Sequence, residues 1–476
     1  MKKVYKAHPL MILTRMKPFL FVLVLPFVRG LLQYVTDREI TGILGIELFL
    51  FAVIFLFCYL SWRSFSLTVN EDTIKIRSGF IFVKRAEIKI SVLSSVQSER
   101  NVLDWALRSV TYSINTEAGS RNRSDFRFKL WVKDGKEISK LLYNEEKYEK
   151  HKFSVLKVAV LAATTSSAFS GMLIGVPIIK KVGDLLGLAL YEMLFDEINN
   201  VSNKFTTVFP PIVNVISLVF LIGYGISFGY SFLKYINFQL YLSDSKMEIR
   251  SGFFSRTRTA FRKSAVNNVR IEQTPLMTLT GRYAMKVSIG GYGDAKSESA
   301  VVMPCSGKAE IKDAFKVYFP EFSRSDKKIK APTDRFNRSR FLFMPAVYLI
   351  SIIALSVVLA LIFTDFGKLI LFLTAIALGI VFYYAYISLL ECRFGQTSLT
   401  DTVFVHSTKG LRISELYCKK ENVGEIIIRR FFTDFPQKTC RIRVTVRSES
   451  ADSMRVRMLP YEKVKEEIYN CYEIKV

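Results

Sequence analysis

Six stretches of this chain are apolar over about the ~20 residues that a helix needs to cross the hydrocarbon core of a bilayer. They are 18–35, 43–62, 153–179, 209–235, 341–363 and 369–390. They fall into three pairs, each pair joined by a polar loop and followed by a polar segment. The first stretch contains Pro26 and Arg29, and the third is diluted by Thr164, Thr165, Ser166 and Ser167. The basic start (Lys2, Lys3, Lys6, Arg15, Lys17) suits a signal peptide, but no small-residue cleavage site follows, so a retained helix is expected.

The polar segments carry a strand pattern. Residues 65–69 alternate apolar and polar and run into the turn formers Asn70, Glu71 and Asp72. Ile74 and Ile76 continue on a second strand, and Ser78-Gly79 marks another turn. Strands are then expected at 110–114 and 126–132, a turn at Lys133-Asp134-Gly135-Lys136, and a helix over 137–150. The second polar segment repeats this order and closes with a helix over 309–318, for which Ser306 is a plausible cap. The third closes with a helix at Tyr461–Tyr472.

The repetition is literal in one place. Ile-Arg-Ser-Gly-Phe occurs at Ile76–Phe80 and again, 173 residues on, at Ile249–Phe253. The surroundings match without a gap: Phe65 with Phe238, Leu67 with Leu240, Val96 with Val269, Glu99 with Glu272, Leu103 with Leu276. A period this long describes a chain assembled from copies of one unit. The third copy is divergent, reading His406-Ser407-Thr408-Lys409-Gly410 where the others have the motif. The expected fold is therefore an α+β membrane protein with six transmembrane helices in three hairpins. A cytoplasmic antiparallel β domain with a C-terminal helix follows each hairpin. The boundaries are 1–62 (hairpin one), 63–152, 153–235 (hairpin two), 236–322, an exposed linker at 323–340, 341–390 (hairpin three) and 391–476.

The pattern Phe65-x-Leu67…Ile76-x-Ser78-Gly79, repeated as Phe238-x-Leu240…Ile249-x-Ser251-Gly252 directly after a membrane hairpin, resembles the YdbS/YdbT-type bacterial membrane proteins. The resemblance covers nearly the whole chain and implies pleckstrin-homology-like cytoplasmic domains and a plasma-membrane location. It also implies membership of a group seen in Gram-positive envelope-stress settings. Its motif consists of structural residues, so it transfers architecture rather than an activity.

Charge sets the expected orientation. Residues 63–152 carry 18 basic and 12 acidic side chains, 234–340 carry 21 and 10, and 391–476 carry 16 and 12. The loops inside the pairs are neutral or acidic. Lysine and arginine concentrate on the cytoplasmic side, so both termini and all three domains are expected there. The overall charge of +25 borders membrane spans, where anionic lipid accounts for it better than nucleic acid does. Six cysteines without a C-x-x-C pair and three scattered histidines give no metal or disulfide pattern. Gly290-Gly291-Tyr292-Gly293 reads as a hairpin turn rather than a phosphate loop. No catalytic residue, cofactor or metal is expected, and the chain is read as a non-enzymatic scaffold or envelope-protection component. A lipid or small-molecule translocator and an anionic-lipid recognition protein are the alternatives. Membrane lipid and a membrane-protein partner or self-association are the expected contacts.

Four groups of residues are candidates. Arg77 and Arg250, with Arg256, Arg258, Arg262 and Lys263, could ligate lipid phosphate, a guanidinium fork being suited to it. Alternatively, the motif is structural: Ser78-Gly79 and Ser251-Gly252 form a tight turn while Ile76, Phe80, Ile249 and Phe253 pack inward. Arg29 and Glu47 could pair within the membrane across hairpin one, or each could snorkel to the outer interface. An amphipathic outer helix over 184–199 could meet an external partner through Glu192, Asp196 and Glu197, or only brace the bundle.

Overall fold

A helical hairpin that leaves a membrane surface and returns to it brings the chain back beside its starting point. The segments flanking each hairpin are then antiparallel neighbours, free to pair as strands. This geometry organises the computed structural model of the protein. It describes residues 3–19, 41–70, 72–116, 126–143, 148–167, 211–290, 299–322, 328–332, 335–409, 412–431, 434–447 and 452–472.

Module one starts with β1 (Lys3–Tyr5) and α1 (Leu10–Met16). After α2 (Thr41–Arg63) come β2 (Ser66–Val69), β3 (Thr73–Ser78) and β4 (Lys84–Lys89). Its second half is β5 (Leu93–Arg100), α3 (Val102–Ala106), β6 (Ser109–Thr116), β7 (Phe126–Trp131) and the closing helix α4 (Val132–Tyr143). Module two repeats the order: β8 (Glu149–Lys152), α5 (Val155–Thr165), α6 (Pro211–Tyr235), β9 (Gln239–Leu242), β10 (Lys246–Ser251), β11 (Arg256–Arg262). It continues with β12 (Val266–Gln273), α7 (Pro275–Leu279), β13 (Arg282–Ile289), β14 (Ala300–Gly307) and α8 (Lys308–Tyr318). Module three has β15 (Ile329–Lys330), α9 (Arg335–Ile362), α10 (Gly367–Phe394), β16 (Gln396–Leu399), β17 (Thr402–Lys409) and β18 (Arg412–Lys419). It ends with β19 (Val423–Arg429), β20 (Thr439–Val446), β21 (Asp452–Pro460) and α11 (Tyr461–Tyr472).

The strands before and after each hairpin pair as the geometry requires: β1 with β2, β8 with β9, β15 with β16. Each module thus begins before its hairpin. Residues 149–152 and the expected linker at 323–340 accordingly contribute edge strands to the module that follows them. The modules are also fused sideways. The second half-sheet of module one continues into the first half-sheet of module two, in the order β7-β6-β5-β11-β10-β9-β8. Module two joins module three in the same way, in the order β14-β13-β12-β18-β17-β16-β15.

Inward-facing apolar residues of both half-sheets and the closing helix make each core. In module one Leu67, Ile74, Ile114, Leu130 and Ile138 are fully buried. Helix α4 starts at Val132, directly after β7, where a turn was expected. Gly135 belongs to its first turn, and a Cβ there would collide with Val110 and Tyr112. This glycine allows close packing rather than chain reversal. In the other two modules Ile311 and Phe315 of α8, and Val464 and Ile468 of α11, close the barrel.

The shared motif is explained by the helix end above it. Gly252 has φ +103° and its N–H donates to the Ile236 carbonyl at 2.8 Å; the N–H of Phe253 donates to Leu233 at 3.0 Å. The turn thus takes up carbonyls left open at the C-terminal end of α6. Gly79 repeats the conformation at φ +100°, and Ser64, just past α2, donates to its carbonyl at 2.6 Å. Ile76 and Ile249 pack inward as expected. Phe80 and Phe253 do not: each is 51% exposed, beside Phe82, Phe254 and Ile81, on a loop at the helix ends.

Of six expected spans, two are found among the described residues: Ser339–Ile362 within α9 and Leu369–Phe394 within α10. The second and fourth apolar stretches form α2 and α6, of which only part is described in side-chain detail. Helix α5 stops at Thr165, within the Thr/Ser cluster, and residues 168–179 of that stretch lie outside the described residues. So do most of the first stretch, Arg29, the side chain of Glu47, and the outer segment with Glu192, Asp196 and Glu197.

Two outcomes follow. Gly252→Ala places a Cβ against the Ser255 carbonyl oxygen at a backbone angle that L-residues avoid, which costs about 1–3 kcal/mol. Thermal unfolding of the detergent-solubilised chain should show this as a lowered midpoint. Asp104, buried in α3, is the second case. Burial by itself would raise its carboxyl pKa, but hydrogen bonds from Lys129 (2.5 Å) and Ser109 (2.5 Å) hold it below the ordinary carboxylate value. Its stabilisation is complete above the unfolded value of about 4 and is lost as pH falls through the lower folded value. The stability gap between the parent and Asp104→Asn should therefore close below about pH 4, read from urea midpoints across pH.

Candidate anion sites where membrane helices enter the modules

The first site spans modules one and two. β10 and β11 alternate, sending Arg250 and Arg258 to one side, where they sit opposite each other across the strand pair. Like charges in that position repel, and Glu248 separates them. Its carboxylate is buried and accepts from Nε and Nη2 of Arg258 (2.6 and 2.8 Å) as well as from the Arg250 Nε. The Arg250 guanidinium also covers the Tyr241 ring at 4.2 Å. At the module junction Arg256 of β11 faces Arg100 of β5, and both lie on the Trp105 ring (5.3 and 5.0 Å). The buried Nε of Arg100 has no hydrogen-bond acceptor among the described residues. Together with Asn237, Gln239, Ser251 and Thr257, these four arginines line a cavity of about 430 Å³.

The other sequence candidates are spent differently. Arg262 donates to the carbonyls of Ser91 and Ile90 in module one, fastening the junction. Lys263 begins the turn after β11 and lies outside this cavity. Arg77, the copy-one counterpart of Arg250, is exposed, and Lys75 stands where copy two has Glu248. Ser251 shares a hydrogen bond with Thr257 at 3.0 Å, inside the hairpin.

The second site was missed in the sequence. The three-stranded sheet of module three points Cys440, Ile442, Val444 and Val456 into the core. The alternate residues Arg429, Arg441, Arg443, Arg455 and Arg457 line a cavity of about 370 Å³ on the other face. Arg429 is paired opposite Arg441, and Arg443 opposite Arg455. Tyr384 and Glu391, two turns apart on α10, complete the lining. Glu391 is 4% exposed and is held by Arg457 through Nε at 3.2 Å to each oxygen and Nη2 at 2.5 Å. Thr408 also donates to it at 2.9 Å. This is what replaced the motif in copy three. β17 runs straight through its position, and Ser407 and Thr408 hold a carboxylate of the membrane helix instead of bending back at a glycine.

Burial lowers the pKa of Arg441, whose Nε lies 3.7 Å from Asp434. Asp434 is fully buried and already takes Arg340 and the Phe431 N–H (2.9 Å). Among the described residues Arg429, Arg443 and Arg455 form no ion pair. Tyr348 lies against Tyr384 of the lining with tilted rings (6.1 Å), and Tyr383 against Tyr386 (6.4 Å), so tyrosines cluster on the helices near the cavity. Tyrosine belts of this kind mark a membrane–water interface. The signal that could have found the site is the period-two run Arg441-Ile-Arg-Val, echoed by Arg455-Val-Arg457.

A module of two half-sheets closed by a C-terminal helix, copied along the chain beside membrane helices, defines a class. The chain belongs to the bacterial PH domain family, whose model matches residues 19–146 and 185–316. It is similar to the UPF0699 transmembrane protein YdbT of Bacillus subtilis (strain 168), 19% identical over 363 residues and covering 70% of each chain. No solved structure matches it. Family and relative agree with a membrane protein bearing PH-like domains.

The Glu391–Arg457 pair can be tested directly. Arg457→Met strands a buried carboxylate and should cost about 3–5 kcal/mol, whereas the Glu391→Leu/Arg457→Met double variant should recover most of that loss. Chemical unfolding of the three variants, set out as a double-mutant cycle, measures the difference.

Proposed function

We propose that the chain is a three-hairpin, six-span scaffold of the plasma membrane that holds anionic phosphate head groups where its helices enter the modules. The modules and both termini face the cytoplasm, and no catalysis is involved. The observation that carries the reading is the module-three cavity. Five guanidinium groups share one sheet face, two pairs of them directly opposed, with Glu391 as the only carboxylate in the lining among the described residues. Opposed like charges cost stability, and a bound phosphate would offset that cost with bidentate, charge-assisted hydrogen bonds. A tyrosine in the lining, Tyr384, is in keeping with head-group depth. The junction site around Arg100, Arg250, Arg256 and Arg258 is a second place of the same kind, and Phe253 and Phe254, exposed just past its Gly252, suit the acyl boundary. The fused sheets support the scaffold part of the reading, because they fix the three hairpins at set distances from one another. A place in envelope protection is in keeping with such a scaffold.

The test is lipid retention by the full chain in nanodiscs containing phosphatidylglycerol and phosphatidylcholine, read by native mass spectrometry. Each charge-assisted hydrogen bond is worth about 1.5–3 kcal/mol. Arg443→Ala/Arg455→Ala should therefore weaken phosphatidylglycerol retention by roughly tenfold or more, with phosphatidylcholine unaffected. Equal retention of phosphatidylglycerol by parent and variant would rule the reading out.

A further inference from the structure

The two internal junctions are built alike. β11 pairs with β5 over six residues, from Arg256↔Arg100 to Phe261↔Ser95. β18 pairs with β12 over six residues, from Ile413↔Gln273 to Cys418↔Asn268. Superposing the copies puts Ser95, Asn268 and Glu425 at one position, since a register shift follows Leu93, Val266 and Val423 in all three. The junctions therefore share one register. Two halves of the same joint remain in modules one and three. β4 is the last strand of the sheet β1-β2-β3-β4, and β19 is the first of β19-β20-β21; among the described residues neither has a neighbour on its outer side.

Burial shows what is missing there. Ser95 and Asn268 are buried at 2% and 1%, and Val96 and Val269 at 5% and 0%. Their counterparts on β19 are an exposed Glu425 and a half-exposed Ile426, continuing into Ile427 and Ile428. An edge strand with three consecutive isoleucines lacks the lysines and prolines that normally guard such edges. β4 is likewise exposed along most of its length.

We propose that copies of this chain join end to end, β19 of one molecule pairing antiparallel with β4 of the next in the register of the internal junctions. That register places Ala86 opposite Ile427 and Arg85 opposite Ile428, as Thr259 faces Gln97 and Arg258 faces Ser98 in the first junction. The contact joins unlike surfaces, so it propagates head to tail from one molecule to the next. Each added junction keeps the hairpins on one side, so the row lies along the membrane. The joint also rebuilds the first arginine site: Arg430 takes the place of Arg100, Arg77 that of Arg250 and Arg85 that of Arg258. The buried Nε of Arg430, like that of Arg100, has no hydrogen-bond acceptor among the described residues. The Lys75–Glu87 pair (2.8 Å) would be enclosed as Glu248 and Arg258 are now. The inference rests on strand pairing and stands apart from the lipid reading.

The experiment is disulfide trapping between two pools of full-length chain in membranes. One pool carries Ala86→Cys and the other Ile427→Cys. The parent, whose cysteines at 58, 305, 392, 418 and 440 are buried, sets the background. Mixed pools should give a dimer band several-fold above both the parent and the off-register pair Ala86→Cys with Glu425→Cys. A chain carrying both substitutions should give a ladder. Bands no stronger than the parent's, equal yield from the off-register pair, or cross-linking of the Ala86→Cys pool with itself would each overturn the proposal. Should the cysteine variants fold poorly, single-molecule bleaching of fluorescently tagged, otherwise unaltered chain decides. Multi-step spots are expected, and uniformly single-step spots would overturn it.

Discussion

The interaction on which the rest depends is the backbone ladder between modules. A half-sheet of three or four strands leaves one edge of unpaired N–H and C=O groups, and a protein must pair, cover or guard such an edge. Here each module uses the next one. The second half-sheet of one and the first half-sheet of the following one become a single seven-stranded sheet. The modules are therefore not independent domains on linkers. Core residues reflect this: Ala260 of module two packs in the core of module one, and Phe404 and Tyr417 of module three pack in that of module two.

The ladder constrains the membrane side as well. The strand pairs β8-β9 and β15-β16 belong to the fused sheets, so those sheets set where the chain leaves and returns in modules two and three. The pair β1-β2 does the same in the unfused first sheet. The Ser-Gly-Phe turn adds a second tie by bonding its N–H groups to the last carbonyls of α6. Module three replaces that tie with a charged one, Glu391 to Arg457, Ser407 and Thr408. The two devices share a purpose. Each fixes the angle between a membrane helix and its module, one by capping a helix end and one by burying an ion pair, which is costly to break.

Much of the fold was legible because it rests on periodicity. Leu67, Ile74 and Ile76 alternate, as do Leu240, Met247 and Ile249, and the 173-residue repeat carried the architecture from one copy to the next. What escaped was structure that only tertiary context creates. Glu149-Lys-His-Lys152 has no apolar alternation and becomes a strand because the hairpin returns Gln239–Leu242 beside it. Ile329-Lys330 sits in a stretch whose composition reads as linker, for the same reason. Gly135 looked like a turn residue since sequence shows only that glycine is present, not whether bending or close packing requires it. The arginines of β20 and β21 alternate along the sequence, a pattern that was passed over. That they form a site depends on Glu391 and Tyr384, which lie in an apolar run where strand patterns are not sought.

Position explains why basic residues concentrate as they do. The same charge of +25 spread evenly over the surface would only favour insertion and solubility. Instead, opposed arginine pairs recur: Arg250 with Arg258, Arg100 with Arg256, Arg429 with Arg441, Arg443 with Arg455. Each pair loses Coulomb energy in the folded state, and aromatic rings or a single buried carboxylate screen only part of it. Trp105 lies under one pair and Glu248 between another. Repulsion retained at a membrane boundary becomes attraction once anionic head groups lie alongside, because the negative surface potential falls off within about a Debye length. On the proposed reading, a protein organised this way is more stable against its membrane than away from it.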